Sequence, residues 1–168
     1  SEIIINGTAL GLSDSPLMKD TYHKGDLIAV TGDIGLAALG FELDTLDNVY
    51  VKHALRPEAK IKEGLILRDY ATSATDITDG LASELYEIKK DDYGFMIYEE
   101  MLNVSDEYKQ LADKLGLDYL DLILHVGEDF ELLFTISREN LEKLPIDCIV
   151  IGEVNDSDVI ELTLENGF

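Results

Sequence analysis

Ser73-Ala-Thr-Asp-Ile-Thr-Asp-Gly-Leu81 is the stretch on which the fold turns. Ala74–Ile77 reads as a short strand, and Asp79-Gly80 opens a helix carried through Leu81, Leu85 and Ile88 to about Lys90. The same alternation recurs on both sides. Upstream, Leu27-Ile-Ala-Val-Thr31 follows Gly25-Asp26 as a buried strand, and Thr31–Leu43 favours a helix through Leu36–Leu39. Asn48–Leu55 is a second helical stretch that stops before Arg56-Pro57, and a third runs from Pro57, in its first turn, to Tyr70. Downstream, Tyr93–Tyr98 reads as a strand with Phe95 and Ile97 on one face, and Glu107–Leu115 and Tyr119–Leu124 as helices. Strand Phe130–Ile136, helix Arg138–Leu144, strand Cys148–Val154 and strand Val159–Leu164 complete the run. Ile3–Leu10 reads as a strand ahead of all of these. With no repeat or linker, residues 1–168 are expected to form one mixed α/β (α+β) domain whose strand order the chain order does not set.

Composition narrows the chemistry. Against 13 Lys and Arg stand 35 Asp and Glu, a formal net charge of −22, which disfavours a surface tracking nucleic-acid phosphates or anionic lipid. At 46% hydrophobic residues the chain can still build a core. A phosphate ligand would need its charge cancelled, and divalent metal is the first candidate. Cys148, the single cysteine, permits neither an intrachain disulfide nor a multi-cysteine zinc site; within Ile146–Ile151 it reads as a buried, inert thiol. No apolar stretch approaches the roughly 20 residues of a membrane span, and no signal peptide precedes Glu2. A cytoplasmic protein is the simplest expectation. A start at Ser1, with strand-like residues following at once, suggests an excised domain, with methionine removal or a tag scar as the alternatives.

Three constellations could carry function. Asp76 and Asp79 sit three apart at the strand–helix junction, where both can face one hard cation such as Mg²⁺. Thr78 adds a hydroxyl, Gly80 permits close backbone approach, and the helix start offers N–H donors. The bland alternative makes Asp79 a helix N-cap and Asp76 a strand end. In Gly127-Glu128-Asp129-Phe130-Glu131, a turn could expose Glu128, with strand alternation placing Glu131 opposite Phe130; a plain acidic turn is the alternative. Thr31-Gly-Asp-Ile-Gly35 resembles a phosphate cradle in composition only. His23, His53 and His125 are scattered and read as surface or packing residues, while Phe95, Tyr86, Tyr93 and Tyr98 read as core or its edge.

Taken in order, Lys24–Gly32, Leu55-Arg-Pro57, Asp76-Ile-Thr-Asp-Gly-Leu81 and Gly127-Glu-Asp-Phe-Glu-Leu-Leu-Phe-Thr135 resemble thiamine-monophosphate kinase, of the aminoimidazole ribonucleotide synthetase superfamily. The likeness runs along the whole chain but covers only the family's C-terminal domain. It implies a sandwich with a mostly antiparallel sheet covered by helices, preceded in the full protein by an N-terminal domain that forms a homodimer and supplies most of the metal-binding aspartates. The implied reaction moves the γ-phosphoryl of ATP, with Mg²⁺, onto thiamine monophosphate. The implied roles are metal binding for Asp76 and Asp79, ATP contact for Thr78 and Lys19, and substrate contact for Glu128 and Phe168. Lys19 stands for an arginine and loses its bidentate fork, Val126 replaces a glycine, and Leu36 an aspartate. Other superfamily members (aminoimidazole ribonucleotide synthetase, selenophosphate synthetase, the hydrogenase-maturation dehydratase) and a non-catalytic acidic binding domain are the alternatives.

Overall fold

A computed structural model describes residues 3–8 and 10–165. Its frame is a six-stranded sheet. The strands are β1 (Leu27–Val30), β2 (Ser73–Asp76), β3 (Gly94–Tyr98), β4 (Leu132–Ile136), β5 (Ile149–Asn155) and β6 (Ile160–Thr163), in the spatial order β2-β4-β1-β5-β3-β6. Every pairing is antiparallel except β3 with β6. Among the described residues seven α-helices connect or cover them: α1 (Leu36–Phe41), α2 (Val49–Leu55), α3 (Ile61–Leu67), α4 (Leu81–Ile88), α5 (Asp106–Leu115), α6 (Tyr119–His125) and α7 (Arg138–Leu141). The mixed, mostly antiparallel sandwich expected from the sequence is the fold observed.

Strand β1 shows how the layers form. Its four residues are all buried, because alternate side chains enter two different cores. Ile28 and Val30 pack with Leu81, Leu85 and Ile88 of α4 and Ile123 of α6. Leu27 and Ala29 pack with Leu67 of α3 and with Phe134 and Ile136 of β4. Full burial of each such aliphatic side chain contributes roughly 1.5–3 kcal/mol. A third cluster joins α1, α2, α5 and α6 through Leu39, Tyr50, Tyr108 and Leu122.

Three sequence expectations need correction. The described residues of Ile3–Leu10 form no strand; Ile3, Ile4 and Ile5 are 87%, 88% and 90% exposed, and a strand needs a partner edge that none of the described residues supplies. The third helix begins at Ile61, leaving Pro57 in an irregular segment ahead of it. Tyr86 lies on the solvent side of α4 at 70% exposure, outside the core. Cys148 is half-buried, and that burial raises its thiol pKa, in keeping with an unreactive role.

Candidate active site

Edge strand β2 ends at exposed Asp76, after which the chain turns through Ile77–Gly80 into α4. Buried Ile77 anchors the turn, and Asp76 and Asp79 stay exposed on either side of it. Asp79 does not cap the helix. Gly80 holds the cap position at φ 93°, and the buried Glu84 carboxylate folds back to accept from the N–H groups of Thr78 and Asp79 at 3.2 and 3.3 Å. Among the described residues no hydrogen bond uses the Asp79 carboxylate. Asp76 Oδ2 accepts from Thr78 Oγ1 at 3.5 Å, the long limit of such a bond.

A second loop is zipped onto the first. Ile77 N–H donates to the Glu131 carbonyl at 2.8 Å, Phe130 N–H to the Ile77 carbonyl at 3.1 Å, and Glu128 N–H to the Thr78 carbonyl at 2.8 Å. These bonds carry the β2–β4 ladder past its last pair, Asp76 with Leu132. The loop makes this turn with Gly127, Glu128 and Phe130 at φ 76°, 63° and 54°. A Cβ on Gly127 would collide with the Thr78 carbonyl, so glycine is required there. Glu128 and Phe130 pay a steric penalty of about 1–2 kcal/mol each for left-handed backbone. The result places Asp76, Thr78, Asp79 and exposed Glu128 together at one edge of the sheet.

Two buried acids hold this loop; the sequence marks the string that contains them but gives neither a role. Asp129, 1% exposed, accepts from Gly35 N–H at 2.6 Å and Ala37 N–H at 2.9 Å, with His53 Nε2 3.8 Å away. Burial raises its carboxyl pKa, and the two N–H groups and His53 offset only part of that. Glu131, 3% exposed, pairs with Lys60 Nζ at 2.9 Å and accepts from Thr31 Oγ1 at 2.6 Å. Burial pulls the Lys60 pKa down, but Glu131 outweighs it and leaves it raised. Gly32 leaves room for this carboxylate, since a Cβ there would lie 2.8 Å from Glu131 Oε1. The Thr31–Gly35 turn is therefore not a vacant phosphate cradle: the protein's own acids fill it. The clue in the sequence was the pairing of two small-residue turns with two acids, legible only once their contact is known.

Lys19 is exposed and ion-paired with Glu87 of α4; among the described residues no hydrogen bond or ion pair joins it to Asp76, Thr78 or Glu128. Phe168 lies outside the described residues. Beside Asp76 opens a groove of about 450 Å³, walled by Leu17, Ile61, Phe130 and Leu132, with Lys60 at its rim. Asp76, Asp79 and the Thr78 hydroxyl are hard oxygen donors, and the uncommitted Asp79 carboxylate suits Mg²⁺. Among the described residues no group of three or more His, Cys, Asp or Glu could hold a metal ion.

No protein-family model matches the chain. The chain is 40% identical over 158 residues to a thiamine-monophosphate kinase of Pyrococcus abyssi, covering 91% of this chain and 50% of that protein. Among solved structures it is similar to AaThiL complexed with AMPPCP and TMP (TM-score 0.76, 26% identity, 87% of this chain, 50% of that one). It is likewise similar to the thiamine monophosphate kinase of Aquifex aeolicus (TM-score 0.74, 27% identity, 87% of this chain, 52% of that one). The chain thus spans about half the length of the relatives it matches. No helix among the described residues is long and apolar enough to cross a membrane.

Proposed function

Because this chain is related in sequence and fold to thiamine-monophosphate kinases along about half their length, we propose that it is the C-terminal domain of a cytoplasmic kinase converting thiamine monophosphate to thiamine diphosphate. The γ-phosphoryl of ATP goes to the phosphate of thiamine monophosphate, and ADP leaves. The observation that carries this reading is the zipped pair of loops, which gathers Asp76, Thr78, Asp79 and Glu128 on one exposed edge. Phosphoryl transfer asks for positioning and charge neutralisation more than for covalent chemistry.

Asp76 and Asp79 would hold Mg²⁺, which when bound neutralises the phosphate charge that a chain of −22 would otherwise repel. Thr78 offers its hydroxyl to ATP, and Glu128, fixed by its own N–H on the Thr78 carbonyl, faces the acceptor. Lys19 and Phe168 complete the proposed contacts to ATP and to substrate. The N-terminal half of the protein would supply the remaining metal ligands and the homodimer contact, so the isolated domain should be inactive. In the full-length protein, Asp76→Asn is expected to lower kcat by about two orders of magnitude or more. Steady-state assays with Mg-ATP and thiamine monophosphate measure this; unchanged turnover in the variant would remove the metal role from Asp76.

A further inference from the structure

The geometry points to Asp129 as a positioning residue that sets the acceptor-facing edge of the site through its grip on the start of α1. This rests on the kinase reading for its kinetic consequence, though not for its structural one. The carboxylate reaches across the turn with both oxygens in use: Oδ2 accepts from Gly35 N–H at 2.6 Å and Oδ1 from Ala37 N–H at 2.9 Å. The two N–H groups bond different oxygens of the carboxylate, and an amide has only one oxygen acceptor to offer them. From outside, the Tyr108 hydroxyl donates to the Gly35 carbonyl at 2.7 Å, so Gly35 is held on both sides.

Asp129 lines neither the groove nor the exposed edge, yet one chain neighbour lies at each. Glu128, before it, is exposed beside Thr78; Phe130, after it, walls the groove next to Asp76. Both sit at positive φ, a backbone state that a free loop would leave. A buried anchor between two strained residues holds them in it together with their own N–H bonds to the Thr78 and Ile77 carbonyls. His53, whose buried Nε2 has no hydrogen-bond partner among the described residues and lies 3.8 Å from Asp129 Oδ1, closes the far side of the carboxylate. Shifting Asp129 therefore acts first on Glu128 and Phe130, whereas Asp76 and Asp79 have holds of their own in β2 and in Glu84, which accepts from Asp79 N–H.

The test uses the full-length protein carrying Asp129→Asn, with Asp129→Glu as a second variant that keeps the charge but lengthens the arm. Two readouts are taken: KM for thiamine monophosphate and for Mg-ATP, and hydrogen exchange of the peptide spanning residues 126–131. The expected result is a KM for thiamine monophosphate raised about tenfold or more, a KM for Mg-ATP changed less than about threefold, and exchange in 126–131 accelerated about tenfold with β1 and β4 unchanged. A merely structural role would lower the melting temperature without splitting the two KM values, and that outcome overturns the proposal. If the wild-type protein lacks the kinase activity, the function reading fails and exchange alone decides: faster exchange confined to 126–131 supports the positioning role, and unchanged exchange refutes it. Should Asp129→Asn not fold, Asp129→Glu is read by the same criteria.

Discussion

Gly127 is where one side chain's absence decides the site. Its backbone sits at φ 76° against the Thr78 carbonyl, and the Glu128 N–H bond to that carbonyl depends on the close approach. Gly127→Ala adds both a left-handed penalty and a collision with backbone, and is expected to lower stability by about 2–4 kcal/mol in urea denaturation. A loss under about 0.5 kcal/mol would show that the loop has another conformation open to it. Residues of this kind were partly legible beforehand. The Gly-Glu-Asp string announced a turn, and Asp76, Thr78 and Glu128 do come together. Asp129 and Glu131 were missed because their partners, Gly35, Ala37, Thr31 and Lys60, lie about 70–100 positions away in sequence, and single-sequence periodicity carries no information about such pairings.

At the scale of elements, periodicity performed best where burial was one-sided and turns were marked. Asn48 caps α2, Ser105 caps α5 and Ser137 caps α7 through side-chain oxygens, and all three helix starts lie within one residue of the sequence reading, although α7 ends at Leu141 rather than Leu144. It failed at Ile3–Leu10, where β-prone residues lack a neighbouring edge among the described residues. Between elements, Tyr119 at the start of α6 donates its hydroxyl to Glu99, just past β3, and Glu165 N–H donates to the same carboxylate at 2.9 Å. The Tyr119 bond is the main cause of the lowered Glu99 pKa. A carboxylate depressed in the folded state contributes stability above its unfolded pKa of about 4.3 and loses it as pH falls through the folded value. Tyr119→Phe should therefore be less stable than wild type at pH 7, with the gap narrowing as the pH drops below about 4. Thermal unfolding across that range checks it; a gap that stays constant with pH would assign the loss to packing alone.

Across the whole molecule the charge of −22 is spread over a surface where most acids face solvent, and self-repulsion works against the compact state. Moderate salt screens this, so the melting temperature of the full-length protein should rise by a few degrees between about 0.05 and 0.5 M NaCl. A melting temperature that falls with salt would mean that attractive pairs such as Lys60–Glu131 outweigh the repulsion. The same charge frames the functional claim, since an anionic protein handles a triphosphate only with cations in its site. The most direct test is phosphorus NMR of wild-type full-length protein incubated with ATP and thiamine monophosphate, with and without Mg²⁺. Thiamine diphosphate and ADP are predicted to appear in equal amounts, and only with the metal. ATP consumed with release of free phosphate and no thiamine diphosphate, or no turnover at all, would contradict the account.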